Sequence, residues 1–143
     1  MTLAIDLPGG FVISDDHARL DLAMIHRFLS EESYWARGRS RALVERSVAH
    51  SLALGAFAPD GEQAGFAMVI SDRAVFAQLS NVFVLPPWRG RKLGEALVRA
   101  ALGHPELATV ARWVLNTHDA HALYTKFGFR PTPPSAAAME LRR

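Results

Sequence analysis

The sequence predicts an α/β domain built on a mixed sheet, in which antiparallel strands are followed by a parallel pair. Three observations favour this fold class: consecutive strand patterns joined by short turns, a strand–helix–strand unit after them, and helical apolar spacing in the remaining segments. The chain has 143 residues, half of them hydrophobic, and no linker-like or low-complexity segment divides it. We therefore expect a single domain over residues 1–143.

The first third of the chain predicts one strand and two helices. The strand is expected at residues 11–14, and the helices at residues 18–30 and 40–50. Apolar side chains recur at helical spacing in both helices. In the second helix, Leu43, Val44 and Val48 are expected on the inner side.

The rest of the chain carries most of the sheet. Further strands are expected at residues 51–58, 63–71, 75–85, 112–116 and 137–141. The first two of these are joined by the turn signal Pro59-Asp60-Gly61, which predicts a hairpin. A helix from Arg89 to Leu102 separates the third from the fourth, so those two strands should be parallel, with a right-handed crossover.

A short helix is expected from Asp119 to Phe127, after the fourth of these strands. Asp119 has the side chain that an N-cap position favours, and Gly128 suits the residue that follows a helix C-terminus. Both ends of this helix are therefore predicted from residue type.

Composition excludes several classes of protein. No cysteine is present, which excludes disulfides and thiolate metal sites. The histidines lack the spacing of a zinc motif, so we predict no metal. No apolar run reaches the length of a membrane helix, and the N-terminus lacks the pattern of a secretory signal. We expect a cytoplasmic protein that does not act at a membrane.

The basic residues favour a small anionic ligand. The net charge is +2, and fourteen of the sixteen basic residues are arginines. The basic residues cluster at residues 37–46 and 89–92, whereas a nucleic acid duplex usually requires a broad basic face. Nucleic acid is therefore not an expected partner.

Residues 82–94 carry the strongest functional signal. The apolar strand end Val82, Phe83 and Val84 is followed by a basic loop that leads into a helix. The loop and helix start comprise Arg89, Gly90, Arg91, Lys92, Leu93 and Gly94. The first amides of a helix have no internal partners and favour anions, and glycine lets a ligand approach the backbone. The pattern indicates a pyrophosphate cradle; the alternative is an ordinary strand-to-helix turn with solvated arginines.

This segment resembles the acetyl-CoA motif of the GNAT N-acetyltransferases, Arg/Gln-x-x-Gly-x-Gly/Ala. Arg89 and Gly94 match its first and last positions, and Lys92 stands where the motif has glycine. A second family element, Asn-x-x-Ala-x-x-Leu-Tyr-x-x-x-Gly-Phe, is similar to residues 117–129. Its matching positions are Ala120, Leu123, Tyr124, Gly128 and Phe129.

The resemblance implies a GNAT-like acyl-CoA N-acyltransferase fold, with helices flanking a sheet that splays between two parallel strands. It implies acetyl-CoA as cosubstrate, held by the cradle and by the strand end Val82 to Val84. Phe83 and Val84 would supply backbone groups, one of them as an oxyanion hole, and Asn116 would border the same ligand. Tyr124 matches the general acid of the family; the alternative is a core aromatic at helical spacing.

The acceptor and the general base are less defined. By the same resemblance, Tyr34, Trp35 and Arg37 would border the acceptor, and an aromatic wall with an arginine suits an amine that also bears a carboxylate. The alternative is that the two aromatic residues fill a gap in the core. Asn81 cannot serve as a base, and the neighbouring candidates are Asp119, His118 and His121.

The predicted function is therefore transfer of an acetyl group from acetyl-CoA to a primary amine of a small molecule or peptide, by direct attack in a ternary complex. One alternative is a non-catalytic acyl-CoA-binding or sensing module of the same fold. Another, suggested only by the isoelectric point of about 9.5, is a nucleic-acid-binding protein. Formation of a homodimer is left open.

Overall fold

A six-stranded open sheet forms the centre of the molecule in the computed structural model, which describes residues 2–134 and 137–143. The strands are β1 (Ala4–Asp6), β2 (Val12–Ser14), β3 (Leu52–Phe57), β4 (Gln63–Ser71), β5 (Phe76–Val84) and β6 (Arg112–Val114). They lie in chain order across the sheet. Neighbours are antiparallel except β5 and β6, which are parallel. The predicted mixed sheet is confirmed.

Four α-helices flank the sheet in the part of the chain that the structure describes. They are α1 (Leu22–Arg27), α2 (Arg41–Ala49), α3 (Leu93–Leu102) and α4 (His121–Thr125). The side chain of Asp21 caps α1 by accepting from the Met24 amide at 3.0 Å, and Ser40 caps α2 in the same way through the Leu43 amide at 3.2 Å. One turn of π-helix, Phe28–Glu32, continues α1.

Each face of the sheet has its own apolar core. The α3 face buries Leu97, Val98 and Ala101 together with Tyr124 of α4. The face covered by α1 and α2 buries Met24, Ile25, Phe28, Val44 and Val48. Because both faces are covered, β3 and most of β4 are apolar and buried at every position, which is typical of a central strand.

A β-bulge and an early end to strand pairing open the sheet beside β5. The register between β4 and β5 shifts between Phe66 and Met68, and Asn81 on the opposite strand has a left-handed φ of 52°. On its other side, β5 pairs with β6 only from Phe76 to Gln78. The two parallel strands therefore separate beyond Gln78, as the resemblance implied.

Several expectations about the helices are wrong. The third helix begins at Leu93 and not at Arg89, because Gly90 and Lys92 have left-handed φ values of 85° and 61°. Leu43 lies on the outer side of α2, with 59% of its surface exposed. Asp119 does not cap α4: the helix begins at His121, and the Thr117 hydroxyl accepts from the Ala120 amide at 3.1 Å.

The strands also differ from expectation at both ends of the chain. Strand β1 was not predicted, although Gly9 and Gly10 form the left-handed turn that follows it. The strand expected at residues 137–141 is absent from the described part of that range. Met139 and Leu141 in this range remain 95% and 77% exposed. These large apolar side chains therefore gain little free energy from burial, whereas side chains of a strand packed in the sheet would gain more.

Candidate active site

The start of α3 forms a row of open backbone amides. Lys92 stands at the N-cap position without a side-chain cap, so the amides of Leu93, Gly94 and Glu95 have no partner within the helix. Within the described residues, the amides of Gly90, Arg91 and Lys92 also donate to nothing. The left-handed turns at Gly90 and Lys92 bend the chain into a concave backbone surface, of the kind that binds phosphate.

Packing within the fold does not require glycine at position 94. A Cβ built at Gly94 would meet only the Cγ2 atom of Val84, at 3.9 Å, which is an ordinary contact. Glycine in a helix costs about 1 kcal/mol relative to alanine, and packing here does not explain that cost. The open surface beside Gly94 therefore fits a group that approaches the backbone closely, such as a pyrophosphate.

Basic side chains surround this turn. The Arg89 Nε donates to the Val84 carbonyl at 2.9 Å, which ties the loop to the end of β5. The guanidinium of Arg91 lies over the rings of Phe11 and Trp88, at 5.5 and 5.7 Å from their centroids. Together with Lys92, these side chains give the concave surface a positive rim.

The separation of β5 from β6 produces a cleft of about 710 Å³, called here the transfer cleft. It is lined by Tyr34, Trp35, residues 78–82, residues 115–120, Tyr124, Glu140 and Arg142. Predicted residues from three regions of the sequence thus meet in one place. Asn116, Tyr34, Trp35, Val82 and Tyr124 all line the cleft, whereas Arg37 does not.

The backbone of β5 offers hydrogen-bonding groups to the open side of the sheet. The Leu85 amide donates to the Ala64 carbonyl of the β4 side at 2.9 Å, and by strand alternation Phe83 faces β4 as well. Val84 therefore faces the opening, and Val82, beside the bulge, lines the cleft. Phe83 contributes its ring to the core instead, stacked on Phe28 with centroids 4.0 Å apart.

Tyr124 combines a buried ring with an available hydroxyl. Its side chain is only 9% exposed and its ring packs edge-on against Phe129. The hydroxyl makes no hydrogen bond to the described residues. Every buried side-chain nitrogen or oxygen among these residues has a partner. The Tyr124 hydroxyl is therefore not buried, and it opens to solvent in the cavity. Burial raises the pKa of the Tyr124 phenol, and Tyr34 and Asp119 raise it further. The phenol therefore keeps its proton at neutral pH.

Two hydrogen bonds fix the aromatic wall of the transfer cleft at both of its ends. The Trp35 indole Nε1 donates to the Oδ1 of Asn81 at 2.8 Å, and the Tyr34 hydroxyl accepts from the His118 backbone amide at 3.1 Å. The rings of Tyr34 and Trp35 meet edge to face at 5.0 Å. The wall thus spans from the bulge of β5 to the segment after β6.

The candidate bases lie in different positions. His118 and Asp119 line the transfer cleft, whereas His121 lines a smaller neighbouring cavity of about 290 Å³. Sequence reasoning missed the contact between Trp35 and Asn81, and it missed Glu140 and Arg142 as lining residues. Asparagine tolerates the left-handed conformation that Asn81 adopts at the bulge, but no pattern in the flanking residues marks the bulge.

One group of side chains in the described part of the chain has a spacing that could hold a metal: Asp15, His104 and Glu106. Both nitrogens of the His104 ring are already engaged, Nε2 with the Asp15 carboxylate at 2.7 Å and Nδ1 with the Glu106 amide at 3.1 Å. This group ties the N-terminal strands to the segment after α3, and it does not line the cleft. Among the described residues, no helix is long and apolar enough to cross a membrane.

A helix start with open amides and a cleft with an available phenol form an arrangement that would suit a phosphorylated ligand presented to a second one. The profile of the GNAT acetyltransferase domain matches residues 54–131, which is more than half of the chain. The chain belongs to the GNAT family and is an acyltransferase. Members of this family use acetyl-CoA.

Two relatives agree with this membership. A Xanthomonas campestris pv. campestris protein assigned to the GNAT family is 45% identical, with a TM-score of 0.89 and 93% of each chain covered. A Bacillus subtilis (strain 168) protein assigned as a [ribosomal protein bS18]-alanine N-acetyltransferase is 34% identical over 96 residues, 62% of this chain. The match covers 59% of the B. subtilis protein's length.

A solved complex with CoA has the same fold. This Mycobacterium tuberculosis protein, determined with CoA and NLQ, is 18% identical, with a TM-score of 0.65. The similarity covers 81% of this chain and 72% of the other. At this level of identity, the comparison shows the fold alone.

Proposed function

We propose that the protein transfers an acetyl group from acetyl-CoA to a primary amine by direct attack in a ternary complex. The observation that carries this proposal is the arrangement of two features, one at the start of α3 and one inside the transfer cleft. At the start of α3 lies a cradle of open amides, and inside the cleft lies the free hydroxyl of Tyr124. A donor with a pyrophosphate and a long thioester arm can reach from one to the other.

Different residues of this chain would bind the different parts of the donor. The amides of residues 90–95, with Arg89, Arg91 and Lys92, would hold the pyrophosphate. The Val84 amide faces the opening and Val82 lines it, so backbone groups there can pair with the amide groups of the arm, while the Val84 carbonyl already accepts from Arg89. Bound there, acetyl-CoA would supply an activated acetyl thioester. A backbone N–H of β5 aimed at the thioester oxygen would stabilise the charge that develops on it.

Tyr124 would deliver the proton that the departing thiolate requires. The raised pKa keeps the phenol protonated. Because a thiol has the lower reference pKa, about 8.5 against about 10 for a phenol, this transfer requires that the departing thiolate be made more basic as it forms, as desolvation in the cleft would do. The amine must lose its own proton before it attacks. His118 and Asp119 line the same cleft and are the candidates to accept it, directly or through water.

One observation favours the second candidate function, an acyl-CoA-binding module without catalysis. Asn81 occupies the bulge at the floor of the cleft, and its Oδ1 already accepts from Trp35. An amide in this position cannot act as a base. Turnover, and not binding, separates the two candidates.

A thermal-shift titration tests the shared part of both candidates. Acetyl-CoA at about 100 times its Kd should stabilise the protein by about 2.7 kcal/mol, which corresponds to several degrees in Tm. CoA should act similarly, and ATP, which lacks the pantetheine arm, should act much less. A folded protein with no shift at saturating acetyl-CoA or CoA would contradict the proposed donor.

A further inference from the structure

The walls of the transfer cleft carry little positive charge that is free to bind an anion. The described lining residues with ionisable side chains are Tyr34, His118, Asp119, Tyr124, Glu140 and Arg142. Arg142, the one lining residue with a permanent positive charge, donates through Nε to Glu140 at 2.9 Å. This ion pair is neutral overall, and Asp119 is left as an unbalanced negative charge on the wall.

Asp119 is also free of the N-cap role that its position in the sequence suggested. Thr117 provides the side-chain contact at the start of α4, and Asp119 forms no ion pair or side-chain hydrogen bond within residues 2–134 and 137–143. Its charge is close enough to Tyr124 to raise the pKa of that phenol. An exposed carboxylate near the candidate proton donor is well placed to meet the ammonium group of an incoming acceptor.

The arginine expected to bind a carboxylate on the acceptor lies elsewhere. Arg37 is exposed and does not line the cleft. The remaining lining groups near Asn81 and Asn116 are neutral: amides, hydroxyls and the aromatic wall of Tyr34 and Trp35. Such groups suit peptide amides and apolar side chains, whereas a free carboxylate would lose hydration without gaining a charged partner.

We propose that the acceptor is a primary amine whose neighbouring carbon carries an uncharged amide in place of a free carboxylate, as at a peptide N-terminus, and that Asp119 selects its ammonium form. This inference rests on the proposed acetyl transfer. It makes Asp119 a specificity-determining residue, whose effect falls on acceptor binding. It also excludes free α-amino acids as good substrates.

The test compares L-leucinamide with L-leucine, which differ at the carboxyl group, by following thiol release from acetyl-CoA at pH 8, above the ordinary histidine range. The wild-type protein should prefer leucinamide in kcat/KM by about a hundredfold or more. Asp119→Asn should raise the KM for leucinamide about tenfold, as expected for losing one close charge pair. For leucine, the lost contact with the ammonium group is offset by the lost repulsion of the substrate carboxylate, so its KM should change less than about twofold. Any fall in kcat from a role of Asp119 as a base would be common to both amines. The ratio of kcat/KM for leucinamide to kcat/KM for leucine should therefore fall about tenfold.

Two control variants sharpen the result. The two amines also differ in basicity, but this difference is the same for wild type and variant, so the change in preference isolates Asp119. Asp60→Asn removes an exposed carboxylate from the β3–β4 turn, outside the cleft, and should leave kcat/KM for both amines unchanged. Arg142→Gln removes the positive charge of this ion pair and leaves the Glu140 carboxylate unpaired, so it should not narrow the preference.

Three outcomes would overturn the inference. They are equal use of the two amines by wild type, an unchanged preference in Asp119→Asn, and acetyl-CoA binding without acetylation of either amine. In each of these cases the thermal shift with acetyl-CoA persists and the proposed donor stands. Absence of that thermal shift would instead contradict the proposed function itself.

Discussion

Replacing Tyr124 with phenylalanine is expected to lower kcat by about 10²- to 10⁴-fold, the usual contribution of a positioned acid. The substitution keeps the buried ring and its contact with Phe129, and it removes only the hydroxyl that opens to the cleft. The fold and acetyl-CoA affinity should therefore change little. Steady-state kinetics of thiol release, together with a thermal-shift titration of the variant, measure these three quantities.

The pH dependence of the wild-type protein provides a second readout for Tyr124. Burial raises the pKa of the phenol above the ordinary value of about 10, so the protonated form persists throughout the usual assay range. Deprotonation of Tyr124 should thus cause no alkaline loss of kcat below about pH 10.

The matched control for Tyr124→Phe is Tyr34→Phe, at the other tyrosine of the chain, which should affect acceptor KM more than kcat. Full turnover in Tyr124→Phe would remove the proposed role.

Replacing Gly94 with alanine is expected to separate stability from donor binding. The added Cβ meets only the Val84 Cγ2 atom at 3.9 Å, and alanine is the better helix former, so the free energy of unfolding should rise by about 0.5–1 kcal/mol. The same methyl group would occupy the surface that the pyrophosphate approaches. We expect the Kd for acetyl-CoA to rise at least about tenfold, since misplacing a charged ligand costs more than about 1.4 kcal/mol.

Both effects of Gly94→Ala are measured in one experiment, by thermal unfolding with and without acetyl-CoA. The unliganded Tm should increase while the ligand-induced shift decreases. A variant that binds acetyl-CoA as tightly as the wild type would place the pyrophosphate away from the start of α3. A lower unliganded Tm would mean that the fold, and not a ligand, requires the glycine.

Local sequence signals predicted the centre of the fold well. Strand β4 has the predicted bounds, and β3 and β5 differ from prediction by one residue at each end. These segments are strongly apolar and are bounded by turn residues, so both the hydrophobic effect and the turn chemistry act in the same direction. The parallel pairing of β5 with β6 followed from the helix between them.

The features that the sequence did not reveal depend on tertiary contacts. Strand β1 has three residues and is held by pairing with β2, and so short a segment shows no periodicity. The left-handed conformation of Lys92, which delays the start of α3, has no signature in a residue that usually avoids it. Ala120, and not Asp119, stands at the N-cap of α4, because the chain turns between β6 and α4 in a way that residue type alone does not determine.

The same division applies to the site. Motif spacing identified the amide cradle and Tyr124, since both belong to continuous segments. The proposed acceptor side comprises Tyr34, Trp35, Asn81 and Asp119, which come from three separate segments and meet only where β5 and β6 separate. The hydrogen bond between Trp35 and Asn81 joins residues 46 positions apart in the sequence, and no local pattern could indicate it.

The most direct test of acetyl transfer is mass spectrometry of an amine such as L-leucinamide after incubation with the protein and acetyl-CoA. We predict a product heavier by one acetyl group, formed in proportion to enzyme and to free thiol released, and almost absent with Tyr124→Phe. A protein that binds acetyl-CoA at saturation yet acetylates no amine in a broad panel would contradict the catalytic account and support the acyl-CoA-binding module.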